Sequence, residues 1–108
     1  MINISVTKTT NPKVKPEAST LGFGKFFTDH MFMMDYSREK GWYDARIVPF
    51  GNLSLHPAST VLHYGSEIFE GLKAYRRADG QVQFFRPADN FKRLQDSAER
   101  LCLPELDE

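Results

Sequence analysis

Residues 69–102 read FEGLKAYRRADGQVQFFRPADNFKRLQDSAERLC, and the fold class follows from this stretch. Two runs, Phe69 to Arg77 and Val82 to Arg86, flank Asp79-Gly80. Asp-Gly between such runs signals a hairpin, because a type I′ turn needs φ > 0 at both central residues. Pro87 then suits the first helical position, where its missing N–H costs nothing. Asp89 complements the helix dipole. Phe91, Leu94, Ala98 and Leu101 recur at helical spacing on one face, and Pro104 stops the run, so a helix is expected over about 87–102.

Upstream, FFTDHMFMMDY (26–36) places Phe32 and Met34 on one strand face and Met31 and Met33 on the other. With both faces apolar it reads as a buried strand rather than an edge. The turn at residues 37–41 ends it. Residues 45–50 (ARIVPF) give a second strand, and Pro49 puts that strand at an edge or ends it. Residues 53–55 suggest a third short strand. The sum is an α+β fold, a mostly antiparallel sheet with a hairpin and a covering helix. Residues 1–20, rich in Thr, Lys and Pro, form an extended polar arm, mobile unless something holds it. Residues 21–108 form one small domain, and the ending at Leu106-Asp107-Glu108 reads as a cut rather than a natural finish.

Composition removes several function classes. Among 108 residues, 14 Lys+Arg balance 14 Asp+Glu, so no basic excess favours nucleic acid. No apolar run approaches the ~20 residues that span a bilayer. The N-terminus lacks a secretory h-region and has no Arg, so the chain reads as cytoplasmic. His30, His56 and His63 lack metal-ligand spacing and read as structural histidines, with no metal expected. Cys102, the single cysteine, sits between Leu101 and Leu103 and reads as a buried, inert thiol. Nine Phe among 13% aromatics give a large apolar face for a core, a partner domain or a subunit interface.

The stretch LHYGSEIFEGLKAY (62–75) is unusual. Gly65 and Gly71 imply a close approach to the backbone, or φ > 0 twice. Tyr64 and Phe69 bracket a small polar turn. They fit either one wall of a pocket or an ordinary aromatic core with a bulge.

This run resembles the hallmark segment of branched-chain amino-acid aminotransferases, of the pyridoxal-phosphate fold type IV group. HYG…FEG is shared with D-amino-acid aminotransferases and aminodeoxychorismate lyases. The flanking FGKFFTDHMFMMDYS (23–37), GWYDARIVPFGNLSLHPAST (41–60) and FFRPADNFKRLQDSAERLCLP (84–104) narrow it. The resemblance implies an N-terminal, small-domain fragment of an enzyme that moves the amino group of leucine, isoleucine or valine to 2-oxoglutarate. It implies that Arg93 binds the cofactor phosphate, and that Phe23, Tyr64 and Phe69 line the substrate pocket. It also implies pyridoxal 5′-phosphate as cofactor and a homodimer. The Schiff-base lysine of the family lies outside this chain, and Lys73 is not its counterpart. The isolated chain is therefore expected to bind the cofactor weakly at best and to be inactive. The rival expectations are a D-amino-acid aminotransferase or lyase relative, and a non-catalytic interaction domain.

Overall fold

The computed structural model describes residues 2–106; the outermost residues of the expected arm and domain (1, 107 and 108) lie outside the described residues. The chain divides into two compact units, one ending at Ser54 and the other starting at Leu55.

The first unit holds β1 (Ser5–Val6), a 3-10 turn at Ala18–Thr20, β2 (His30–Ser37) and β3 (Gly41–Pro49). The sheet order is β1-β3-β2. β2 and β3 form an antiparallel hairpin, while β1 joins the far side of β3 in parallel, with Ser5 opposite Arg46 and Val6 opposite Ile47. Of the two alternatives for Pro49, an edge strand or the strand's end, the second holds: β3 is the central strand and ends at Pro49. One expectation is corrected: β2, expected to be buried, is an edge strand with Phe32 exposed. Pro49 stands opposite His30 at the end of β3, and the next backbone bond of the pairing is made by the Phe50 amide, which donates to the Asp29 carbonyl at 2.9 Å, so the missing Pro49 N–H does not break it. β1 comes from the polar arm, where Ile2, Ile4 and Val6 alternate strictly, a strand period inside a polar stretch. The amide of Thr7 extends this pairing by donating to the Ile47 carbonyl at 2.9 Å.

The β2–β3 register shifts between Met33 and Asp35, where Asp44 and Ala45 share the place opposite Met34. Asp44 takes φ 55°, the left-handed conformation common at bulges. Arg46 clamps the bulge, its Nη1 donating to the Asp44 carbonyl (2.8 Å), Asp44 Oδ2 (2.8 Å) and Asp35 Oδ2 (3.0 Å). Asp35, then Asp44, raises the Arg46 pKa further. Tyr36 and Trp42 pair edge-to-face across the hairpin at 5.2 Å. Among the described residues, Ala45 is the buried apolar residue of this unit.

The second unit holds α1 (Thr60–Tyr64), β4 (Ala74–Arg76), β5 (Val82–Phe84) and α2 (Pro87–Arg100). Residues 53–55 form no strand. α1 was not expected; its stop is written in Gly65, which caps it in the left-handed region at φ 59°. The β4–β5 hairpin stands where Asp79-Gly80 placed it, with a different turn. Arg77 faces Gln81 across a three-residue loop, the Gly80 amide donates to the Arg77 carbonyl at 3.0 Å, and Gly80 takes φ 83° while Asp79 stays at negative φ. This is a type I turn closed by a glycine bulge rather than type I′. The Asp79 carboxylate favours it by accepting from the Gln81 amide at 3.1 Å.

α2 begins at Pro87 as expected. Beyond Arg100 it closes with paired bonds, Cys102 N–H to Glu99 O (3.0 Å) and Leu103 N–H to Ala98 O (2.9 Å). These bonds form a Schellman cap, with Cys102 at φ 52° in the place glycine usually takes. Cys102 is exposed, which corrects the buried-thiol expectation: the left-handed cap turns it away from the Leu94–Ala98 stripe. The cap sends the chain back along the helix, where Gln95 Nε2 donates to the Leu106 carbonyl at 2.8 Å. Among the described residues, Ala98 is the buried apolar residue of this unit.

Candidate functional site

The site grows from the loop at residues 68–71 and the outward face of α2. Arg93, Ser97 and Arg100 lie three or four residues apart, so one helix face carries all three. They border a hollow of about 390 Å3 together with Ile68, Phe69 and Leu101. Phe69 and Arg93, both singled out from the sequence, therefore meet at one place. Tyr64 ends α1 in the same unit but does not border the hollow, and Phe23 belongs to the first unit.

Phe23, Tyr64 and Phe69 are 103%, 84% and 91% exposed. This corrects the alternative of an ordinary aromatic core, since neither Tyr64 nor Phe69 packs into one. The glycine expectation is corrected in part. Gly65 needs φ > 0, while Gly71 does not, and a Cβ there would meet open space.

Glu70 is the residue missed in the sequence. Its side chain is 12% exposed, while that of its partner Arg93 is 64% exposed. Arg93 Nε donates to Glu70 Oε2 at 2.8 Å, and Arg93 Nη2 donates to Glu70 Oε1. Oε1 also accepts from the Gly71 amide (3.0 Å) and from Asn90 Nδ2 (3.0 Å), and Asn90 Nδ2 further reaches the Gly71 carbonyl at 2.8 Å. The Arg93 hydrogen bond, then that of Asn90, holds the Glu70 pKa below its ordinary 4.5, and Glu70 raises that of Arg93. The only sequence signal was a carboxylate between Phe69 and Gly71, on a tight apolar loop.

The donor set suits a phosphate. The Nε–Nη2 edge of Arg93 is taken by Glu70, and Nη1 leaves a second edge of the planar fork for an anion. Arg100 adds a second guanidinium at the hollow, and Asp96 a carboxylate. The histidines have local partners. His30 Nε2 accepts from the Thr9 amide (2.9 Å), His56 Nδ1 accepts from the Ala58 amide (3.0 Å), and His63 Nε2 donates to the Pro57 carbonyl (2.6 Å). No helix among the described residues is long and apolar enough to cross a membrane.

No protein-family model matches the chain. Individual proteins do. Branched-chain-amino-acid aminotransferase 2 of Bacillus subtilis (strain 168) is 53% identical over 105 residues, 97% of this chain. The chain is a homologue of the branched-chain-amino-acid aminotransferases. Branched-chain-amino-acid transaminase 1 of the same organism is 55% identical over 94% of the chain. The branched-chain-amino-acid aminotransferase of Mycolicibacterium smegmatis is 49% identical over 99%. This aminotransferase homologue spans 29%, 28% and 30% of the respective relatives' lengths.

Proposed function

We propose that this stretch is the N-terminal small domain of a branched-chain aminotransferase that uses pyridoxal phosphate. The whole enzyme moves the amino group of leucine, isoleucine or valine to 2-oxoglutarate, as a cytoplasmic homodimer. Residues 21–108 act as one domain in this reading, with 1–20 as its arm. The observation that carries it is the identity of about half the residues along 97% of the chain with an aminotransferase.

Arg93 is the phosphate anchor, binding two anionic oxygens through its remaining edge. Phe69, Tyr64 and Phe23 supply apolar wall. Leucine, isoleucine and valine differ only in apolar volume, so an apolar surface is what selects them. Large aromatics left 84–103% exposed support this role, because they are free to be covered by substrate and by neighbouring chain. Pyridoxal phosphate, when bound, supplies the electron sink that lets the amino acid lose its α-proton. The residues here hold and orient; none matches the lysine that carries the cofactor, so the 108-residue chain alone is inactive.

The test is leucine-dependent glutamate formation from 2-oxoglutarate by the full-length protein that carries this sequence, with and without added pyridoxal phosphate. Cofactor-dependent activity that falls on Arg93→Ala supports the reading. A full-length protein that ignores leucine, isoleucine and valine would sink the substrate assignment. Turnover by the isolated chain would sink its inactivity.

A further inference from the structure

We infer that Glu70 is a positioning residue for Arg93: its carboxylate holds one edge of the guanidinium fork so that the other edge is presented to the cofactor phosphate. The inference rests on the proposed phosphate role of Arg93.

Three observations carry it. First, Glu70 is fixed from two directions: the Gly71 amide and Asn90 Nδ2 converge on Oε1, and Arg93 takes both oxygens. A carboxylate held by that many donors cannot rotate away. Second, Glu70 is largely enclosed while Arg93 is open, so the acid is the fixed partner and the arginine the presented one. An ordinary surface ion pair, with both ends exposed, contributes little. Third, the pair is side-on. Nε and Nη2 are committed, so Nη1 and the outer hydrogen of Nη2 form the edge that an anion can use. A lysine could not be divided in this way, since its ammonium has no fork.

Glu70 acts on an anion in two opposed ways. Its negative charge repels a phosphate, which carries about −1.5 to −2, by roughly five- to sevenfold in affinity at ~7 Å in water. Its grip spares the ordering of a long side chain, which is worth on the order of tenfold. Positioning therefore wins, and the sign of the effect separates the two roles.

The test measures dissociation constants of pyridoxal phosphate, and of inorganic phosphate as competitor, by cofactor absorbance in the full-length apoprotein. Glu70→Asp keeps the charge but loses reach, and is expected to weaken cofactor binding by about tenfold. Glu70→Gln loses the repulsion as well and is expected to weaken it by about twofold or less. Asn90→Ala, which loosens Glu70, should shift affinity in the same direction by less. In an Arg93→Lys background, Glu70→Asp should add nothing. Tighter binding by Glu70→Gln with a silent Glu70→Asp would overturn the inference and leave the phosphate role of Arg93 standing. So would a loss in Glu70→Asp that persists undiminished in the Arg93→Lys background, or that coincides with loss of helical far-UV signal in the apoprotein. Unchanged cofactor affinity in Arg93→Ala would remove both readings.

Discussion

Replacing Cys102 with glycine should stabilise the chain. Cys102 holds the left-handed position of the α2 cap at φ 52°, with both capping bonds made. A side-chain-bearing residue there costs roughly 1–2 kcal/mol, because its Cβ crowds the following carbonyl. Glycine removes that cost but gives the unfolded chain more freedom, an offset of about 0.4–1 kcal/mol. The thiol is exposed, so its removal forfeits little packing. The net gain is on the order of 0.5–1 kcal/mol, or roughly 3–6 °C in melting midpoint for a domain of this size. The assay is thermal unfolding at 222 nm in reducing buffer, with Cys102→Ala as control. Alanine keeps the strain and should melt within about 1 °C of the parent. A glycine variant that melts no higher than the alanine variant would refute the reasoning, since the two differ only in the Cβ that the cap must accommodate.

Three further outcomes are expected. Because Glu70 has a depressed pKa, its stabilising contribution is complete above its ordinary 4.5 and is lost as pH falls through the folded value. Melting midpoints of the parent and Glu70→Gln should therefore differ at neutral pH and converge in acid; a constant gap would contradict the clamp. Gly80→Ala adds a Cβ that meets no atom within 4 Å, yet φ 83° should still cost about 1 kcal/mol, read as a lower midpoint. Thr7→Pro deletes the donor to the Ile47 carbonyl, which should release β1 and speed tryptic cleavage after Lys8 and Lys13; unchanged cleavage would show that the pairing does not hold the arm.

The parts of the fold that were legible are those whose cause is local. Pro87 and the Phe91–Leu94–Ala98 spacing mark the helix, and Asp79-Gly80 marks a turn, though the side chain of Asp79 selects a type different from the one expected. Sheet order was not legible, because the partner of β3 hides in an arm whose Thr, Lys and Pro content outweighs the Ile2-Ile4-Val6 alternation. The site divided in the same way. Arg93 and Phe69 were reached through the resemblance and share a hollow. Glu70 was not reached, because a clamp joining positions 70 and 93 exists only once loop and helix meet.

The parallel pairing of β1 with β3 also sets an order of events during synthesis. Ser5 leaves the ribosome about forty residues before its partner Arg46. At ~5–20 residues per second, it waits roughly 2–8 s for that partner. The β2–β3 hairpin, local in sequence, closes within microseconds once both strands are out. β1 is thus the last strand of its sheet to dock, although it is the first to be made. Until it arrives, one side of β3 is an open ladder on which another nascent chain could add a strand.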